Sequence, residues 1–144
     1  MRDPEHLRPF LPDQAVVLFA EDEVTVQNIV RIALEKDGYF LLTASDGEEA
    51  LEISRSFPGT IDLLLTDITM PRLNGIELCR RITKERPDTR VLLMSGNRPT
   101  DGSRVPFLQR PFKMQELRAK VREVVAEPVL YPMHPCHDTS EVSR

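Results

Sequence analysis

"LLLTDITMP", residues 63–71, sets Asp67 at the end of an uninterrupted apolar run, with Pro71 close behind it. A short run without polar alternation is what a strand buried on both faces requires. Strands of that kind belong to parallel sheets covered by helices, so the stretch points to an α/β fold. Its polar end has two readings. Strand ends turn polar because loops are wet, or Asp67 is there to meet partners supplied by other strand ends.

The rest of the chain repeats the pattern. "AVVLFA" (15–20) is another uninterrupted apolar run, followed by Val26, Ile29, Val30, Ala33 and Leu34 at helical spacing and Gly38 as a stop. "YFLLTA" (39–44) is a second strand, and residues 45–57 form a helix opened by Ser45 or Asp46 with acids in its first turn. After the strand at 61–66 comes a helix over about 73–86, then strands at 90–95 and 105–109 and a last helix over about 113–126. Strand and helix alternate throughout, which predicts a parallel sheet with helices on both faces. Residues 1–13, with Pro4, Pro9 and Pro12, read as an irregular arm, residues 14–126 as the domain, and residues 127–144 as a flexible tail.

Totals narrow the function. The chain of 144 residues is long enough for one real core, and 40% apolar with 29% charged residues is ordinary for a globular protein. A net charge of −4 argues against nucleic acid or an anionic membrane as partner. No apolar run approaches the roughly 20 residues of a membrane span, and the N-terminus lacks the apolar centre of a signal peptide, so a cytoplasmic protein is expected. Cys79 falls with Gly75, Leu78 and Ile82 on one helical face and reads as core. His134, Cys136 and His137 sit in a proline-broken tail with no fourth ligand nearby, a weak metal motif.

In an open parallel sheet, ligands bind beyond the carboxyl ends of the strands. Glu21, Asp22 and Glu23 follow the first strand, Asp67 the third, Ser95 and Gly96 the fourth, and Arg110 the fifth. Carboxylates converging there repel unless a cation joins them, and hard oxygen donors suit Mg²⁺. Ser95 and Arg110 add a hydroxyl donor and a fixed positive charge for an anion, and Gly96 leaves room for it. These are the needs of phosphoryl transfer, with an aspartate able to serve as nucleophile.

These residues carry a resemblance. "VVLFAEDE", "LLLTDITMPRLNGIEL", "VLLMSG" and "FLQRPF" resemble, in order, four segments of the receiver domain of bacterial two-component response regulators, over about residues 14–126. The resemblance implies a flavodoxin-like doubly wound sheet of five parallel strands in the order 2-1-3-4-5. It implies Asp67 as phosphoacceptor, with Mg²⁺ held by Asp22, Asp67 and the backbone carbonyl of Thr69, and by Glu21 through water. Ser95 would contact the phosphoryl group, Phe107 would be the aromatic switch residue, and Pro111 would follow a cis peptide bond. Pro71 and Gly75 would shape the turn after Asp67.

Two departures from the family pattern stand out. Arg110 occupies the usual lysine position, and a planar fork is not equivalent to a compact ammonium. Between Ser95 and the fifth strand, "GNRPTDGSRVPFLQ" (96–109) holds Pro99, Gly102 and Pro106, which predicts that the family's fourth helix is absent or shortened to a turn.

The expected function is a phosphoacceptor in two-component signal transduction. It would take its phosphoryl group from a histidine kinase or phosphotransfer protein and signal by a conformational switch to a downstream protein target. The chain reads as a stand-alone receiver or one excised from a hybrid kinase, and a homodimer stays open. It would catalyse its own phosphorylation and dephosphorylation rather than act as a turnover enzyme. The alternatives are a phosphorylation-independent interaction module and, more remotely, an aspartate-nucleophile phosphohydrolase. The latter class places a second acid two residues after the nucleophile, where this chain has Thr69.

Overall fold

Strand formation follows the apolar runs. The computed structural model describes residues 14–97 and 105–127. Its elements are β1 (Val16–Ala20), α1 (Val24–Lys36), β2 (Phe40–Ala44), α2 (Gly47–Ser56), β3 (Leu63–Asp67), α3 (Gly75–Glu85), β4 (Arg90–Ser95), β5 (Phe107–Gln109) and α4 (Met114–Ala126). The strands form one parallel sheet in the order β2-β1-β3-β4-β5. This is the doubly wound order that the family resemblance implies, with β3 central and Asp67 as its last residue.

Strand alternation divides the core into two layers. Val16, Leu18, Ala20, Leu64, Val91 and Leu93 face α2 and α3, where Ala50, Leu51, Leu78, Cys79 and Ile82 are buried. Val17, Phe19, Leu63, Leu65, Leu92 and Met94 face α1 and α4, packing on Val30, Leu34, Leu117, Val121 and Val124. Complete burial of side chains such as Phe19 and Leu65 contributes about 1.5–3 kcal/mol each. Cys79 is in the core with Gly75, Leu78 and Ile82, as its spacing predicts. Ile29 departs from the expected face: it is 51% exposed, because α1 turns Val26, Val30 and Leu34 inward and needs no wider stripe.

Polar residues set the helix ends. Of the two candidates for the start of α2, Asp46 is the cap, accepting from the Glu49 N–H at 2.8 Å. Asn74 caps α3 in the same way, from the Glu77 N–H at 2.9 Å. Arg86, just past α3, donates to the carbonyls of Ser54, Phe57 and Gly59 and to the Ser54 hydroxyl, tying the end of α2 to α3.

Four helices are present among the described residues, and the fourth in chain order follows β5. The stretch between β4 and β5 is described only at residues 96–97 and 105–106, which are not helical. Residues 98–104, where the shortened helix was expected, lie outside the described residues, as do the arm at 1–13 and the motif at His134, Cys136 and His137. No helix among the described residues is long and apolar enough to cross a membrane.

Candidate phosphoacceptor site

The carboxyl ends of β1, β3, β4 and β5 deliver the site. Glu21 follows β1 directly, its N–H bonded to the Ala44 carbonyl at 3.0 Å and its own carbonyl accepting from Gln27 at 3.0 Å. Gln27 also donates to the Ala44 carbonyl, so one α1 side chain clamps the ends of β1 and β2. The Glu21 side chain is buried at 1% exposure; one oxygen accepts from the Glu23 N–H at 3.0 Å and the other pairs with Arg110 Nη2. Asp22 is exposed at the rim.

Asp67 is held by the loop that follows it. The Ile68 N–H donates to the Met94 carbonyl at 3.0 Å, and the Ile68 carbonyl accepts from Gly75 at 2.8 Å. Leu73 N–H closes on the Pro71 carbonyl at 2.8 Å, with Arg72 left-handed at φ 69°. Two glycines make room for this path. A Cβ on Gly75 would lie 2.2 Å from the Asp67 carbonyl oxygen, and one on Gly47 would lie 2.2 Å from the Leu73 carbonyl oxygen. The role of Gly75 in the turn agrees with the sequence expectation, whereas Gly47, at the start of α2, carries no local signal of its contact with Leu73.

Carboxylate oxygens of Glu21, Asp22 and Asp67 lie within 4.8 Å of one another. Arg110 Nη2 is 3.6 Å from Asp67 Oδ2 besides its contact with Glu21. Burial pushes the Asp67 carboxyl above its ordinary range; Arg110 opposes this, as do the N–H groups of Ile68 and Thr69, while Asp22 adds to it. Burial likewise raises Glu21, against the Glu23 N–H and Arg110. Arg110 thus meets two members of a cluster of three acids, and the unbalanced charge together with an all-oxygen donor set fits a hard divalent cation such as Mg²⁺.

Ser95 ends β4, where its hydroxyl accepts from the Asn97 N–H at 3.2 Å and its carbonyl from the Arg110 N–H at 2.8 Å. The peptide bond before Pro111 is cis, as the resemblance implies. Phe107 is partly buried against the α2/α3 side of the core, and Thr69 is exposed in the loop after Asp67. The strand ends therefore bring together Glu21, Asp22, Asp67 and Arg110, with Ser95 on the strand beside Asp67. The sequence reading missed Gln27, the Gly47 clamp and the pairing of Arg110 with Glu21. It also missed Phe112, whose ring centroid lies 6.0 Å from the Arg110 guanidinium carbon.

Known proteins are similar to this chain in sequence and fold. The response regulator receiver domain family matches residues 17–122. The response regulator receiver protein CpdR of Brucella abortus is 34% identical over 116 residues, covering 76% of this chain and 95% of CpdR. The sensor kinase CckA of the same organism is 34% identical over 123 residues, and response regulator MprA of Mycobacterium leprae 32% over 117. These matches cover 80% and 76% of this chain but only 13% of CckA and 50% of MprA. Among solved structures, a response regulator receiver domain protein from Clostridium thermocellum superposes with a TM-score of 0.69 at 30% identity, covering 77% of this chain and 94% of that one. The receiver domain of the hybrid histidine kinase CckA gives 0.63 at 33%, covering 77% and 99%. A family match over most of the folded region, on a sheet that gathers acids and a basic residue at its carboxyl edge, makes this chain a member of the response regulator receiver domain family of two-component systems.

Proposed function

We propose that Asp67 accepts a phosphoryl group from the phosphohistidine of a histidine kinase or phosphotransfer protein. The observation that carries this reading is the placement of Asp67 at the end of the central strand, 3.6 Å from Arg110 Nη2 and within 4.8 Å of two further acids. In the transfer, an Asp67 carboxylate oxygen forms the new bond to phosphorus as the phosphorus–nitrogen bond breaks, and the electron pair returns to the donor imidazole. Arg110 offsets charge on the phosphoryl oxygens, and the Ser95 hydroxyl donates a hydrogen bond to one of them. Asp22, Asp67 and the Thr69 carbonyl would hold Mg²⁺, with Glu21 reaching it through water. When bound, the ion supplies charge neutralisation for the phosphoryl oxygens.

Movement of Ser95 toward the phosphoryl group would draw the end of β4 with it. Phe107, paired in register with Leu93 of β4, would change its packing in response. That shift in population between two conformers is the signal read by a downstream protein. The test is incubation with a small phosphodonor such as acetyl phosphate and Mg²⁺, followed by intact-protein mass spectrometry. One phosphoryl adduct is expected in the native chain and none in Asp67→Asn. An adduct that survives Asp67→Asn, or no adduct in either, overturns the assignment.

A further inference from the structure

Arg110 differs from the other members of the site in being bound to several of them at once. Its backbone N–H is fixed to the Ser95 carbonyl at 2.8 Å, which places its stem at the end of the sheet. From there Nη2 pairs with Glu21, the buried acid, and lies 3.6 Å from Asp67 Oδ2. The Phe112 ring centroid lies 6.0 Å from the guanidinium carbon, and Nε is buried with no hydrogen-bond partner among the described residues, so most of the side chain is withdrawn from water. A monovalent cation built into the chain thus lies among the same carboxylate oxygens that would serve a divalent one.

We infer that Arg110 is an intrinsic counter-ion whose seat on Glu21 sets the divalent-cation affinity of the acid cluster. This deepens the reading of the cluster as a Mg²⁺ site and rests on it. With the guanidinium seated, one carboxylate charge is already neutralised, and a divalent ion entering beside it meets a like charge a few ångströms away. An ion-bound water must compete with Arg110 for Glu21, whose other oxygen already accepts from the Glu23 N–H. Nη2, at the far end of a delocalised guanidinium, lies by Glu21 and Asp67 together, whereas a lysine ammonium is a compact charge with a shorter reach. The arginine therefore holds the acids together without metal at the expense of metal binding.

The experiment is a Mg²⁺ titration followed by amide chemical shifts in the native chain, Arg110→Lys, Arg110→Met, Glu21→Gln and the Glu21→Gln/Arg110→Met double variant. Far-UV circular dichroism confirms that each is folded, and the lysine variant preserves the charge should methionine destabilise the buried acid. Removing the charge is expected to tighten Mg²⁺ binding on the order of tenfold, and lysine by less. Glu21→Gln is expected to weaken binding several-fold more in the methionine background than in the native one, because only the native Glu21 is engaged by Arg110. Equal or weaker binding in both folded Arg110 variants, with Asp67 of the native chain phosphorylated by acetyl phosphate, overturns the counter-ion role and leaves the phosphoacceptor reading standing. Absence of Mg²⁺ binding in every variant overturns both.

Discussion

Asp67→Asn is expected to stabilise the metal-free protein at neutral pH. At an effective dielectric of about 20, unit charges 4.8 Å apart interact by roughly 3–4 kcal/mol and those 3.6 Å apart by roughly 4–5 kcal/mol. Arg110, at the shorter distance, attracts Asp67, while Glu21, no farther than the longer one, repels it and removes most of that gain. Asp22 repels it as well, less strongly because it faces solvent. Pairwise charges therefore nearly cancel, and the cost of desolvating the half-buried carboxylate decides the sign. An amide of the same shape escapes that cost, so the variant should gain about 1–2 kcal/mol in chelator at pH 7.

The pH and metal dependences follow from the same direction of shift. A carboxyl raised above its unfolded value contributes stability below the unfolded pKa, and that contribution is lost as pH rises through the folded pKa. The advantage of Asp67→Asn should accordingly shrink as pH is lowered into the ordinary carboxylate range. Mg²⁺ at ten times its dissociation constant adds about 1.4 kcal/mol to a protein that binds it only when folded. The native chain should gain this and the asparagine variant much less, closing the gap. Urea unfolding followed by far-UV circular dichroism measures each value. A variant less stable than the native chain in chelator at pH 7 would refute the reasoning, since Arg110 would then outweigh burial and both acids.

Glycine and arginine positions provide further tests. Gly75→Ala and Gly47→Ala each drive a Cβ to 2.2 Å from a backbone carbonyl oxygen and should cost about 3 kcal/mol in urea, whereas Gly96→Ala meets nothing within 4 Å among the described residues and should stay within about 0.5 kcal/mol. Arg86→Ala leaves the Ser54, Phe57 and Gly59 carbonyls without their donor and should cost roughly 2–3 kcal/mol, with faster amide exchange at the end of α2.

The strands and the places of the polar residues at their ends are legible in the sequence for one physical reason, whereas the strand order follows only from the family resemblance. A strand buried on both faces must be an apolar run, and the polar residues that end such runs lie at the sheet's carboxyl edge. That is why Glu21, Asp67, Ser95 and Arg110 can be placed before any contact is known. The contacts among them are less legible. Gly47 looks like an ordinary helix start, and only the approach of Leu73, from another element, reveals why a side chain is excluded there. Nothing in the sequence marks the role of Arg86, because three of its four acceptors are backbone carbonyls, which carry no sequence signal. Ile29 shows the limit of periodicity itself: helical spacing marks it as inward, yet the inward stripe is narrower than the apolar one.

Arg110 combines both kinds of information. Its position after β5 follows from the strand pattern, and its difference from lysine is visible in the chain. Its partner is not, because a guanidinium at that strand end can reach the acid of β3 or the acid after β1, and burial favours the latter. Glu21, at 1% exposure, has lost nearly all its water and has, among the described residues, the Glu23 N–H and Arg110 to replace it, whereas Asp67 retains access to solvent. A buried carboxylate without a donor costs more than a half-buried one, so the guanidinium is drawn deeper than Asp67. That preference leaves Asp67 incompletely neutralised, and an incompletely neutralised carboxylate at the site mouth is what a divalent cation and an electrophilic phosphorus can both approach.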